Sequence, residues 1–268
     1  MNVPRRLALA VLVLVYLAGL AAGWLAPAGY DTQFRDLPVR PPSRRFLLGT
    51  DELGRDSFAR LLYGSRISLT LAPAAAALAT SIGAIAGISA GYRGGWMDTC
   101  LARLMDLFLS VPWLFLLLGV RAALPLNVRP LESAGITFLL LGLLGWAAPA
   151  RVVRAAARQL RTEDFMMQAK ARGCRTLHLL TRHFLPNLKS VLIAQFWISV
   201  PVFILSEANL SFLGLGVIEP LPSWGNLLAG LQNVDAVAAC PWRLAPLALL
   251  LIVMICFHLL APAEDLSR

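Results

Sequence analysis

The run Ile67–Ala90 reads ISLTLAPAAAALATSIGAIAGISA and contains no charged side chain. A bilayer core of about 30 Å is crossed by roughly 20 helical residues, so this run is long enough to span one. Five comparable stretches accompany it: Leu7–Ala26, Leu104–Val120, Ala134–Ala150, Leu188–Leu213 and Leu244–Pro262. Of the 268 residues, 58% are hydrophobic and 15% charged; soluble domains carry about a quarter charged residues. The mean hydropathy of +0.68 agrees. There is more apolar surface than one compact core could hide, so lipid solvates the remainder. Alternating strands of about ten residues, the mark of a membrane β-barrel, do not occur. Backbone in lipid must satisfy its own hydrogen bonds, which leaves helices. The expected fold class is all-α, a polytopic helical membrane protein with about six transmembrane helices.

The spans divide the chain. Residues 1–66 form an N-terminal anchor (about 7–26) and an external segment. Residues 67–262 form the core, with spans at about 67–90, 104–120, 134–150, 188–213 and 244–262 and a cytoplasmic loop at 162–187; residues 263–268 are a cytoplasmic tail. The first span follows Arg5 and Arg6 like a signal peptide, but its apolar run exceeds the 7–15 residues of a signal core. Ala26-Pro27-Ala28 is a poor cleavage site, so a retained anchor is expected.

Other chemistries find little support. Cys100, Cys174, Cys240 and Cys256 lie in four segments without CxxC spacing, and His178, His183 and His258 form no ligand pattern with a carboxylate. Neither a disulfide framework, a metal, a cofactor nor a catalytic centre is expected. A phosphate-binding loop needs Gly-Lys-Ser/Thr, whereas the two lysines, Lys170 and Lys189, follow Ala and Leu.

The net charge of +9 is too localised to indicate nucleic acid. Nine basic residues lie between Arg151 and Lys189 against two acidic ones, Glu163 and Asp164. Basic loops stay in the cytoplasm, and even parity then puts both termini inside. The opposing segment, Pro27–Arg66, holds seven arginines, largely offset by Asp31, Asp36, Asp51, Glu52 and Asp56. Arg151, Arg154, Arg158 and Arg161 share one helical face, either as a headgroup anchor or as a rim for a cytoplasmic partner.

Within the spans, Ala75, Ala79, Gly83, Gly87 and Gly91 recur every four residues and permit close helix approach. The neighbour is either another helix of the same bundle or a second, similar subunit. Glu207, Asn209 and Ser211 near the outer end of the fifth span are candidate pathway or outer-gate residues, because ionisable groups in spans are functional candidates. Counted from Leu188, Glu207 reaches the interface, where capping the turn at Gly214 is the competing structural role. Gly214-Leu215-Gly216, Pro220, Pro222 and Ser223-Trp224-Gly225-Asn226 then break the helix, and Trp224 and Trp242 suit a membrane interface. A structured external loop is expected, one that could dip back into the bundle.

After Arg161, Thr162 can cap a helix whose first turn holds Glu163 and Asp164. Phe165, Met166 and Ala169 share a face, with Met167 and Ala171 on another, and Gly173 is the expected stop. A second short helix runs to Phe184, and Pro186-Asn187 introduces the fifth span. A two-faced helix held outside the membrane needs a partner on its exposed side.

Three motifs lie in order. They are Leu48-Gly49-Thr50-Asp51, Gly54-Arg55-Asp56, Arg60, Gly64, Arg66 and Ser68-Leu69; then the loop with Gly173, Arg182-His183 and Leu185-Pro186-Asn187; then Glu207-Ala208, Leu210–Gly216 and Pro222-Ser223-Trp224-Gly225. From about Leu47 to Leu260 the chain resembles the inner-membrane permease subunits of ABC importers, in the branch for dipeptides, oligopeptides and nickel, and most the second or "C"-type permease. The resemblance implies a type I importer permease fold in a bacterial inner membrane. It also implies a second homologous permease, two cytoplasmic ABC ATPase subunits and an external substrate-binding protein as partners. Docking of the ATPase would fall to Phe165, Met166, Met167, Gln168, Ala169, Gly173, His183, Pro186 and Asn187. The family's Glu-Ala-Ala is here Met167-Gln168-Ala169, with Gly173 kept; the tail, Leu260-Ala261-Pro262-Ala263-Glu264-Asp265, departs from the family's Gly-Asp-Gly-Leu-Arg-Asp. Two rival classes stand beside this one. A secondary carrier would need buried carboxylates or broken helices at mid-membrane in two related halves, and no internal repeat is visible. A non-transporting membrane scaffold would keep the fold without coupling.

Overall fold

The computed structural model describes residues 3–125, 128–171, 174, 176–179, 182, 184–232 and 240–261. Their regular structure is helical, apart from two isolated bridges, Gln33 with Arg55 and Thr50 with Asp56. In chain order the helices are α1 (Val3–Leu20), α2 (Ala22–Leu25), α3 (Ser57–Arg93), α4 (Gly95–Ser110), α5 (Trp113–Ala122) and α6 (Pro130–Leu144). There follow α7 (Ala147–Arg161), α8 (Asp164–Ala171), α9 (Thr176–Leu179), α10 (Leu185–Phe212), α11 (Trp224–Ala229), a 3₁₀ turn (Pro241–Leu244) and α12 (Ala245–Leu260).

Five elements are long and apolar enough to cross a membrane: α1, α3, α6 with α7, α10, and the turn with α12. A sixth crossing exists if α4 and α5 are one span, but that span is bent by 86°. The straight run expected over 104–120 is therefore broken. Pro112 has no N–H to donate and disfavours helix in the residue before it, and Val111 is accordingly extended at φ −82°, ψ 127°.

The 37-residue helix α3 is central, packing against α1, α6, α7, α10 and α11. At 1.5 Å per residue it is about 55 Å long, more than a bilayer core. Asp56 caps it, accepting from the Phe58 N–H at 2.9 Å. Burial raises the pKa of Asp56 above the usual carboxylate range. At its other end Gly94, with φ +68°, turns the chain into α4. The largest apolar core joins α1, α3, α10, α11 and α12.

Trp224 departs from the interfacial position expected of it. It is fully buried: its indole N–H donates to Ser65 Oγ at 3.0 Å and its backbone N–H to Ser68 Oγ at 3.1 Å. The loop after α10 thus folds back and seats α11 against α3.

Candidate functional site

At one end of the bundle, α8 lies across α7 and the start of α10. Met166 is fully buried and Ala169 nearly so, in a cluster with Val153, Ala157, Leu179, Phe184 and Leu188. Phe165 and Met167 are 40% and 54% exposed, and Gln168 is exposed as well. The two faces differ from the expected division, since Phe165 stands on the open side and apart from Met166 and Ala169. Thr162 also does not cap α8; its hydroxyl donates back to the Gln159 carbonyl of α7 at 2.8 Å. Pro186 and Asn187 are exposed in the first turn of α10. Gly173 and His183, also expected here, lie outside the described residues, as does the tail 263–268.

The glycine stripe meets α7 of the same chain. A Cβ on Gly83 would lie 2.9 Å from Pro149 Cβ, one on Gly87 2.6 Å from the Ala150 carbonyl, and one on Gly91 2.6 Å from Ala157 Cβ. The arginine face of α7 is likewise engaged within the chain. Arg154 grips Asp98 of α4 with two donors, Arg158 stands 3.9 Å from the same carboxylate, and Arg151 pairs with Asp106. Asp98 does not stand out in the sequence as a site residue, although Asp98 and Asp106, about two turns apart, share one face of α4.

At the opposite end, Glu207 is fully buried. Its oxygens accept from Ser211 Oγ at 2.8 Å, Ser223 Oγ at 2.7 Å and the Gly225 N–H at 3.1 Å. The carboxylate thereby pins the returning loop. Glu207 and Ser211, four apart, share this cluster; Asn209 is exposed on another side of α10. Nearby, Glu219 bridges Arg55 at 2.7 Å and Arg60 at 2.7 Å, and Asp51 holds Arg55 at 2.6 Å. Burial opposes the charge on Arg55, but Asp51 and Glu219 outweigh it and raise its pKa. These groups line a cavity of about 350 Å³ with Glu52, Trp242 and Arg243.

Arg121 of α5 is also fully buried. It donates to Ser133 Oγ at 3.2 Å, and Ser133 donates to the Gly216 carbonyl at 3.3 Å. Its Nε has no partner among the described residues. A charge inside an apolar run is itself the signal that marks such a residue. Among the described residues, no cluster of three His, Cys, Asp or Glu could hold a metal ion.

A family model for binding-protein-dependent transport system inner membrane components matches residues 83–263. The oligopeptide transport system permease protein OppC of Bacillus subtilis (strain 168) is 34% identical over 236 residues, covering 88% of this chain and 75% of the relative. OppC of Mycobacterium tuberculosis (strain ATCC 25618 / H37Rv) is 34% identical over 254 residues, covering 94% and 84%. The dipeptide transport system permease protein DppC of Bacillus subtilis (strain 168) is 33% identical over 215 residues, covering 80% and 65%.

Proposed function

The chain belongs to the family of binding-protein-dependent transport system inner membrane components, and we propose that it imports short peptides as one of two permeases, with α8 as the seat of a cytoplasmic ATPase. It is a multi-pass permease subunit of an ABC importer. The peptide class follows from relatives named for oligopeptides and dipeptides. The family's description calls for a binding protein, which would deliver substrate to the end that carries Glu207 and Glu219. Hydrolysis of ATP falls to the partner subunits. Family membership favours this reading over a secondary carrier or a scaffold.

One observation carries the docking assignment: α8 buries Met166 and Ala169 while leaving Met167 open at 54% exposure. A methionine side chain is flexible and polarisable and fills an irregular socket well. Met167→Asp would put a charge into that socket without a partner. ATPase co-purifying with inserted permease should fall at least tenfold. Leu53→Asp, at the other end of the bundle and 51% exposed, should leave it unchanged. Equal retention by both variants would remove α8 as the docking element.

A further inference from the structure

The helix α8 is tied to its neighbours by a buried side chain. Its buried Met166 packs with Val153 and Ala157 of α7 and with Phe184 and Leu188 at the start of α10, and α7 is held on two further sides. On one, the glycines of α3 bring the two backbones into contact. On the other stands α4, joined to α7 in two different ways. The first is apolar: Met105, Leu101 and Phe108 pack with Trp146, Ala147 and Ala150, the two rings 5.4 Å apart. The second is ionic. Arg154 donates through Nε and Nη2 to both oxygens of Asp98, the latter at 3.0 Å.

These contacts constrain different things. Apolar packing holds α4 against α7 without pairing particular donors and acceptors. A two-pronged guanidinium–carboxylate pair fixes relative position along the axes. The Asp98 and Arg154 side chains are only 13% and 23% exposed, so water screens them little. The second rung, Arg151 with Asp106, is 54% and 56% exposed within this chain. From Asp98, α4 runs to Ser110, where the span breaks at Val111–Pro112 and turns by 86° into α5. Any displacement that α7 passes to α4 must be taken up at that break or carried into α5.

We propose that Asp98, gripped by Arg154, is the positioning residue that transmits movement of α8 into the broken span, with Val111–Pro112 as the hinge that delivers it to α5. This rests on α8 being the ATPase seat. Asp98→Asn leaves the apolar contact between α4 and α7 intact, so the chain folds while losing the lock on register.

The test uses the whole transporter, with ATPase and second permease, in a background lacking native cysteines. Spin labels go on Phe115→Cys of α5, 68% exposed, and Leu251→Cys of α12, 54% exposed. Their separation is measured with and without ATP, hydrolysis being blocked by vanadate. The parent should show an ATP-dependent shift. Asp98→Asn and Arg154→Gln should each reduce it at least fivefold while retaining the ATPase, and the double variant should be no worse than either single one. The exchange Asp98→Arg with Arg154→Asp should recover part of it. An undiminished shift in Asp98→Asn, no shift in the parent, or variants that fail to insert or hold the ATPase would overturn the proposal. If the ATPase is absent even from the parent complex, the docking assignment fails instead, and the two failures are thereby distinguished.

Discussion

At the scale of single residues, Glu207 shows how a carboxylate acts as an internal clamp. It has no exposed surface, yet three donors from three places in the chain converge on it: Ser211, Ser223 and the Gly225 N–H. The close fit at Gly225, where a Cβ would lie 2.5 Å from either carboxylate oxygen, leaves room for glycine alone. If the role is bonding, an amide should serve. Glu207→Gln can accept from the Gly225 N–H and donate to a serine hydroxyl, which rotates to accept. Glu207→Ala leaves two buried donors, the Ser223 hydroxyl and the Gly225 N–H, without this partner, each costing about 1–3 kcal/mol. Thermal unfolding in detergent should show the glutamine variant near the parent and the alanine variant well below it. If both fall equally, the charge itself is required. The sequence flagged Glu207 as an ionisable residue in a span. It could not show the clamp, because two of its partners lie beyond a glycine- and proline-rich turn whose path local pattern does not specify.

At the scale of elements, α3 and α7 make the closest helix pair. A stripe of small residues every four positions was legible as a close-packing face, but periodicity alone does not say which helix comes to it. The structure brings α7, with Pro149, Ala150, Val153 and Ala157 in the groove. A Cβ on Gly87 would lie 2.6 Å from the Ala150 carbonyl and 2.8 Å from Val153 Cβ, and backbone cannot yield as a side-chain tip does. Gly87→Leu should therefore separate the helices and destabilise by about 1–3 kcal/mol or more, read as early thermal unfolding of the purified permease. Gly119→Ala, where nothing lies within 4 Å of the added Cβ, is the control and should be neutral. Equal stability of Gly87→Leu would mean that the α3–α7 contact is looser than drawn. The third span was harder to read. Its apolar composition favours a straight crossing, and one proline bends that path by denying a hydrogen bond and extending Val111. Hydropathy averages over a window and does not register a break of two residues.

At the scale of the molecule, the outstanding question is which end of the bundle faces the cytoplasm, and the charges must be weighed with their partners. Nine basic residues lie between Arg151 and Lys189; Asp98 and Asp106 of α4 join Glu163 and Asp164 there, giving four acids against nine bases. At the other end the seven arginines of Pro27–Arg66 face five acids of the same segment. Glu219, which bridges Arg55 and Arg60, and Arg243, which pairs with Glu52, make eight bases against six acids. Orientation follows lysines and arginines, to which acids add little, and nine of them at the α8 end against eight at the other favour the α8 end inward. Of the native thiols, Cys240 and Cys256 are poor reporters of this, being only 7% and 5% exposed. Two introduced cysteines avoid that difficulty: Leu53→Cys and Met167→Cys, at sites 51% and 54% exposed, each in a chain otherwise free of cysteine. In cells with a permeable outer layer and an intact inner membrane, a charged thiol reagent should label position 53 at once. Position 167 should be labelled only after the inner membrane is opened and the ATPase has been stripped from the permease. The reverse pattern would invert the molecule and place α8 on the side away from ATP, which would take the ATPase docking assignment with it. Labelling of both before permeabilisation would mean an odd number of crossings between residues 53 and 167 is wrong, and that α4 and α5 enter and leave the membrane on the same side.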